Sequence, residues 1–351
     1  MRIVFLAWRD TAHPQAGGSE VVIDQLASRL TERGHEVQLL HGGPSGKHNY
    51  CSTSIGGNYS QYLFAPFAFF RHCKGAEAVI DVENGIPFFS PLWQRKPVIG
   101  LVHHIHTEQW GMQFPKPVAA IGRWLEGSFM PRVYRRVPFI SVSPSTTRGL
   151  VDLGVASTQV STIEMGLAFD PLEPSPSTEP RFLVLSRLVP HKRVELALKM
   201  WETVRPITGG QLVIVGDGPE LDNLRSMAGA DVEFTGWVDE ERKRSELAQA
   251  WILIHPAHHE GWGTVVMEAA AASVPTLAFD VDGVRDSVAN GVTGYLAANE
   301  SDFAAQWISL TTNDSQRAQM ATAAKNRATI FTWDRAVDMF EAVLHKTVRE
   351  Q

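Results

Sequence analysis

The chain has 351 residues, of which 44% are hydrophobic and 20% charged, with a formal net charge of −6. This is ordinary globular composition, which excludes a disordered chain, a fibre or a small disulfide scaffold, and the length suggests two domains at roughly 150 residues each. Nucleic-acid binding needs a concentrated basic face, which an acidic overall balance does not advertise.

The first segment, Ile3 to Trp8, is apolar but meets Arg9 and Asp10 at once, too soon for a signal peptide. It reads as a buried strand. No apolar run approaches the roughly 18–20 residues of a membrane span. Cys51 and Cys73 make neither a disulfide framework nor a metal spacing, so a reducing, cytoplasmic setting is expected. Strands are expected at 2–8, 36–41, 78–82, 97–103 and 138–142, with helices near 19–33, 118–136 and 145–153. The second half repeats the scheme. Strands are expected at 181–186, 211–215, 231–235, 251–255, 275–279 and 294–297, and helices at 192–205, 219–228, 239–249, 264–273 and 301–330. A last helix, 334–348, follows Asp334 as its N-cap. Short β-rich runs alternating with amphipathic helices predict parallel α/β sheets covered on both faces.

Four prolines fall between Asp170 and Pro180. They exclude a helix or central strand and suggest a semi-rigid linker at 169–180. The organisation expected is an N-terminal domain 1–168, the linker, a second domain 181–332, and a C-terminal helical segment 333–351 that packs back on the first domain. The two doubly wound domains would face each other across a cleft. Residues 1–170 hold 15 Lys+Arg against 13 Asp+Glu, and the remainder 17 against 25. The basic excess is local: Lys116, Arg123, Arg132, Arg135, Arg136 and Arg148 stand against Glu126 alone within 116–148.

Five segments carry chemistry. Gly17-Gly18-Ser19-Glu20 opens the first helix, where free N–H groups and the helix dipole suit a phosphate; alternatively it is a flexible loop capped by Ser19. Arg187 and Lys192 stand five residues apart after strand 181–186 and could neutralise a diphosphate, or could be two solvated charges. Glu260-Gly261-Trp262-Gly263 precedes a helix start that carries Glu268 about one turn in. A glycine-rich helix start flanked by two acids, at the carboxyl end of a parallel strand, marks where ligands bind in open α/β sheets. His103, His104 and His106 close strand 97–103. If the strand continues, adjacent side chains point to opposite faces, so a cleft-facing histidine is a better fit than a chelating pair. Asp280-Val281-Asp282 spells D-x-D, a pattern that can hold a divalent ion; here it reads as a loop, and the cations make a metal unnecessary.

As an ordered set these residues resemble the GT-B glycosyltransferases of family four, also described as glycosyl transferases group 1. Arg187 to Lys192 matches R-x-x-x-x-K, and Glu260 to Glu268 matches the paired-glutamate motif. Gly216-Asp217-Gly218-Pro219, Gly236-Trp237-Val238 and Gly17-Gly18 match further segments. The resemblance implies a retaining transfer from a nucleotide sugar, a UDP-sugar before GDP-mannose. It implies that Arg187 and Lys192, with the backbone amides of Gly263, Thr264 and Val265, stabilise the departing diphosphate. Glu268 would hold the ribose, Glu260 the transferred sugar, and Trp237 and Val238 would lie by the base. Gly17, Gly18, Gly216 and Gly261 would line the donor. His103 is the match to the family's catalytic histidine, with His104 as the fallback. No cofactor or metal is implied. Two departures stand out: Glu164-Met165-Gly166 replaces the usual Pro-Asn-Gly, and Arg285-Asp286 follows Gly283 where a glutamate is usual.

The acceptor expected is a hydroxyl of a small molecule, a glycan or a lipid-linked compound. The aromatic stretch 62–71 and the basic, aromatic segment 117–136 suggest peripheral contact with an anionic membrane, against a core-packed helix with a solvated basic face. An epimerase or phosphorylase on the same fold, and a non-catalytic nucleotide-sugar-binding subunit, are the alternatives.

Overall fold

Five consecutive apolar residues, Ile3 to Ala7, are each at most 3% exposed, which requires a sheet covered on both faces. They form the middle of β1 (Arg2–Arg9) in a computed structural model that describes every residue except Ala168, Asp170 and Gln351. Contacts divide the chain into two units: Met1–Gly166 together with the segment from Trp333 onward, and Leu167–Thr332.

In unit 1, β1 leads to α1 (Gly18–Glu32), whose buried Val22, Ile23, Leu26, Ala27 and Leu30 make one stripe against the sheet. β2 (Glu36–Gly42), β3 (Cys51–Gly56), α2 (Gln61–His72), β4 (Ala78–Glu83) and β5 (Val98–Val102) follow. The helix expected at 118–136 is present as one helical run over 116–133, which contains a π turn. α3 (Gln109–Gln113) and α4 (Lys116–Trp124) are followed by a wide π turn, Leu125–Phe129, then α5 (Met130–Val133). Pro131 lies at the start of α5 and has no N–H to continue the ladder from the preceding turn. β6 (Phe139–Ser141), α6 (Pro144–Asp152) and β7 (Val160–Thr162) complete a seven-stranded parallel sheet, ordered β3-β2-β1-β4-β5-β6-β7.

Unit 2 carries β8 (Arg181–Leu185), α7 (Val194–Thr208), β9 (Gln211–Val215), α8 (Leu221–Met227), β10 (Val232–Gly236), α9 (Glu240–Gln249) and β11 (Ile252–His255). Then come α10 (Thr264–Ala271), β12 (Thr276–Phe279), α11 (Val284–Ser287), β13 (Gly294–Ala297), α12 (Glu300–Thr312) and α13 (Asp314–Ala328). The expected helix 301–330 divides because Asn313 stops one helix and caps the next, its side chain accepting from Gln316 N at 3.1 Å. The sheet is parallel, ordered β10-β9-β8-β11-β12-β13. Phe182 packs edge-on against both Trp201 and Trp307, at 5.4 and 5.2 Å, in its core.

The proline-rich segment runs along unit 2. Leu172 N donates to Ala271 O, Ser175 N to Ala248 O and Ser177 N to Gln249 O. Ala168 and Asp170, at the edges of the expected domain and linker, lie outside the described residues.

α14 (Trp333–Arg349) belongs to unit 1. Its Phe340 stacks on Phe5 at 6.2 Å, and Asp338 and Glu341 both pair with Arg33 at 2.6 Å. A Cβ on Gly166 would meet Trp333 N at 2.4 Å, so that close approach needs glycine. Asp334 lies inside the first turn of α14 and is not its cap.

Candidate functional site

In each sheet the strand order reverses direction once. The break falls between β1 and β4 in unit 1 and between β8 and β11 in unit 2. Loops leaving the carboxyl ends of the strands beside such a break diverge to opposite faces and leave a crevice, where ligands bind in open α/β sheets. In unit 2 the loop after β8 carries Arg187 and Lys192, and the loop after β11 carries Glu260. The two strands are neighbours, with Ile252 opposite Phe182.

Lys192 Nζ pairs with Glu260 Oε1, and His255 Nε2 lies 3.0 Å from the same oxygen. The Lys192 and Glu260 side chains are 14% and 15% exposed. Burial alone would raise the Glu260 carboxyl; the Lys192 ammonium and His255 override it and hold it well below the usual range. His191 is pushed down to about 4 by burial and by the Lys192 charge, with Arg187 adding to it. Both cations therefore act on one imidazole. Arg187 itself is exposed. His191 O also accepts from His258 N at 2.9 Å, which ties the two loops together.

α10 begins at Gly263, whose φ of +76° is the left-handed conformation that glycine adopts at least cost. The Val266 and Met267 amides donate to Gly263 O at 2.9 and 3.3 Å. The Thr264 and Val265 amides remain at the open helix start, where an anion is favoured. Trp262, next to Gly261, is buried against Phe331 at 5.1 Å and anchors the loop. A Cβ on Gly283 would stand 2.2 Å from Glu260 O, so the loop after β12 closes tightly on the Glu260 loop. Glu268, on α10, is 5% exposed and accepts from Lys243 Nζ at 2.9 Å. Trp237 is 76% exposed beside Val238, an open aromatic face after β10. Gly216 N donates to Gly236 O at 2.9 Å, so that amide is used within the fold.

Asp280 and Asp282 both pair with Arg285, at 3.0 and 3.2 Å. Their carboxylates are turned to a cation of the chain itself. Among the described residues no group of three or more His, Cys, Asp or Glu side chains is placed to hold a metal ion.

In unit 1, Gly17 is the N-cap of α1, and Glu20 accepts from Gly17 N at 2.8 Å. Ser19 does not cap the helix; its hydroxyl donates to Glu20 at 2.9 Å. The Gly17 amide is thus occupied, which leaves Gly18 as the glycine at the open end. β5 stops at Val102, so the histidines lie on a loop and strand alternation does not govern them. His103 is 6% exposed, and its Nε2 has no hydrogen-bond partner among the described residues. Burial pushes it down to about 4, so it is neutral near pH 7. His104 contacts Gln109 Oε1 at 3.4 Å and lies against His106 with ring centroids 3.8 Å apart.

The sequence singled out neither His255, His191 nor Lys243. It also passed over Glu83, at the carboxyl end of β4 beside Val102, which is 4% exposed with Oε1 unpartnered among the described residues. Burial raises that carboxyl well above its ordinary value, and the Asp81 and Glu126 charges add to it. A lone strand-end acid has no motif to mark it. The signal for His255 was available, since it is the polar end of an otherwise apolar strand that leads to Glu260.

Two parallel, doubly wound α/β domains with a cationic, glycine-rich switch point define a GT-B enzyme. The comparisons with known proteins agree. The family described as glycosyl transferases group 1 matches residues 169–327, and glycosyltransferase family four matches 16–170. The chain belongs to these glycosyltransferases. It is 35% identical over 130 residues to a GDP-mannose-dependent alpha-mannosyltransferase of Corynebacterium glutamicum, covering 35% of this chain and 30% of that protein. It is 23% identical over 372 residues to the N-acetyl-alpha-D-glucosaminyl L-malate synthase of Bacillus anthracis, covering 97% of each. Anabaena Alr3699/HepE, solved with UDP-glucose, shares the fold with a TM-score of 0.80 at 16% identity, covering 99% of this chain and 100% of that one.

Proposed function

We propose that the chain transfers a hexosyl unit from a nucleoside-diphosphate sugar to a hydroxyl acceptor, with retention of anomeric configuration and no required metal ion. The observation that carries this is the placement of Arg187, Lys192 and the start of α10 at one switch point. As the diphosphate departs, positive charge grows at the anomeric carbon and negative charge on the β-phosphate. A guanidinium, an ammonium and the Thr264 and Val265 amides suit that negative charge, and fixed donors of this kind are worth roughly 3–4 kcal/mol each.

Glu260 is assigned to a hydroxyl of the transferred sugar, Glu268 to the ribose, and Trp237 with Val238 to the base. In unit 1, His103 is assigned to the donor sugar through Nε2, and Gly18 to phosphate. Glu260 is tied to Lys192 and His255, and Glu268 to Lys243, so neither acid is cast as a nucleophile. Attack then comes from the face of the leaving phosphate, which preserves configuration. A UDP-sugar is the first donor to test and GDP-mannose the next. The Anabaena neighbour holds UDP-glucose, and the corynebacterial relative is named for GDP-mannose.

The acceptor is placed at an anionic membrane surface, on the cytoplasmic side. Leu63, Phe64, Phe67 and Phe70 of α2 are 51–75% exposed, and α4 exposes Val118, Ile121 and Trp124. α2 carries no acid, and residues 84–151 hold eight Lys+Arg against Glu108 and Glu126. Exposed apolar side chains in a part of the chain with an excess of cations suit insertion between anionic headgroups. No helix of the described residues is long and apolar enough to cross a membrane.

A coupled assay of diphosphate release against an acceptor panel tests the proposal. Release that requires an acceptor and yields a glycosylated product supports it. Donor conversion without acceptor indicates an epimerase. A requirement for phosphate without nucleotide indicates a phosphorylase, and binding without turnover a non-catalytic subunit. A thermal-shift screen with UDP-, GDP- and ADP-sugars ranks the donors, since a ligand of the native state raises apparent stability.

A further inference from the structure

We propose that Lys243 is a positioning residue for the donor nucleotide, holding the Glu268 carboxylate so that it receives both hydroxyls of the ribose diol. This rests on the assignment of Glu268 to the ribose. Lys243 lies on α9, one turn and a half beyond the Trp237-Val238 loop that is assigned to the base. Its ammonium is 2.9 Å from Glu268 Oε1 and 2.8 Å from Glu240 Oε2. The Glu240 side chain is 51% exposed and the Glu268 side chain 6%. The lysine therefore bridges a solvated acid to a buried one. Its charge is also 5.7 Å from the Phe169 ring, which packs beside the lysine head.

A vicinal diol presents two O–H donors. An ionised carboxylate accepts both, whereas a protonated carboxyl gives up one acceptor position to its own proton. Ribose recognition by Glu268 thus depends on its charge. Burial pushes the Glu268 carboxyl up, and Lys243 opposes that rise. Burial likewise opposes the Lys243 charge, and Glu268 and Glu240 more than offset it. The charged groups acting on Glu268 are Lys243 and Glu240, both from α9. α11 and α13 also pack on α10. There Arg327 is turned to the carbonyls of Asp286 and Ser287, and Arg285 to Asp280 and Asp282. No second cation is in place to take over from Lys243 among these groups.

The test is calorimetric binding of UDP and of 2′,3′-dideoxy-UDP to the full chain and its Lys243→Met, Lys243→Arg and Glu240→Gln variants. At pH 7, Lys243→Met is expected to bind UDP about tenfold more weakly and the dideoxy nucleotide as the parent does. Raising the pH to 9 favours the ionised form of Glu268 and is expected to restore part of the UDP affinity of this variant, while the parent changes little. Lys243→Arg keeps most of the affinity, and Glu240→Gln binds UDP at least as well as the parent. Unchanged UDP binding in Lys243→Met overturns the proposal. So does an equal loss for both nucleotides, or a loss that is the same at pH 7 and pH 9. If Lys243→Met does not fold, pH-independent UDP binding by Lys243→Arg with parental affinity supports the proposal, and a loss of dideoxy-UDP binding in that variant overturns it. If the parent binds neither UDP nor GDP, the assignment of unit 2 to the donor fails, and the role of Lys243 with it.

Discussion

His255 stands 3.0 Å from the same Glu260 oxygen that pairs with Lys192, so one carboxylate gathers a cation from the β8 loop and an imidazole from the end of β11. This makes Lys192 a different kind of residue from Arg187. Lys192 is mostly buried and supports Glu260, whereas Arg187 is exposed. On their proposed assignment to the departing diphosphate, replacing either with alanine is expected to lower turnover about a hundredfold or more. The stability effects should part. Arg187→Ala should melt as the parent does. Lys192→Ala strands a buried carboxylate and should cost about 2 kcal/mol, less than a fully buried pair because both side chains keep some contact with water. Turnover assays with thermal melts on both variants check this. Parental turnover in Arg187→Ala would remove the core of the functional proposal.

Asp280 and Asp282 share Arg285, at 3.0 and 3.2 Å. A metal at this D-x-D would have to displace the guanidinium. Activity is therefore expected to survive EDTA, and the Asp280→Asn and Asp282→Asn variants should keep turnover within about threefold of the parent, because exposed ion pairs contribute little. A strict Mn²⁺ requirement that either substitution abolishes would assign these residues to a metal.

The fold class could be read from the chain because the strands of both sheets are short β-rich runs with little alternation, as two-sided burial demands. Where helices were misjudged, the cause was local. α2 escaped notice because Tyr62, Leu63, Phe64, Phe67, Ala68, Phe69 and Phe70 leave no polar face to show a helical period, and Pro66 sits inside it. β3 and β7 are half-buried edge strands rich in Ser and Thr, with no apolar run to mark them. In the candidate site the cations and glutamates stood in recognisable spacing, and His255, the polar end of the strand leading to Glu260, could have been read with them, but Lys243 comes from another element. Long-range pairing of that kind carries no signal in a single sequence. The strand alternation used to weigh against a chelating pair at His103 and His104 did not apply, because β5 ends one residue earlier than expected.

His103 provides a pH test. Burial lowers its pKa to about 4, below the 6.5 of an unfolded histidine. Between these values the unfolded chain binds the extra proton, so stability rises with pH across that window. The contribution is complete above pH 6.5 and is lost as pH falls towards 4. His191, also pushed down to about 4, acts in the same direction. His103→Gln is expected to flatten the slope of melting temperature between pH 4 and 6.5, leaving the His191 part. On its proposed assignment to the donor sugar, the substitution is also expected to lower turnover at pH 7.5 by about a hundredfold. An unchanged acid slope would contradict the buried, neutral state of His103, and unchanged turnover its assignment to the donor sugar.

The exposed face of α2 makes the membrane proposal separable from catalysis. Phe67 and Leu63 are 75% and 74% exposed one turn apart, so replacing both with serine removes apolar surface without opening the core. The double variant should melt within about 0.5 kcal/mol of the parent, as surface substitutions usually do. Its binding to phosphatidylglycerol vesicles at low salt should fall at least tenfold, since each large side chain buried in the interface contributes on the order of 1–2 kcal/mol. Reversing charge at Arg95 and Lys96 should weaken binding further and reduce its salt dependence. Donor binding measured with UDP in solution should stay at the parental value in both variants. Parental vesicle binding by the Leu63→Ser, Phe67→Ser protein would show that this face does not meet the lipid, and an absence of vesicle binding by the parent would return the acceptor to a water-soluble hydroxyl compound.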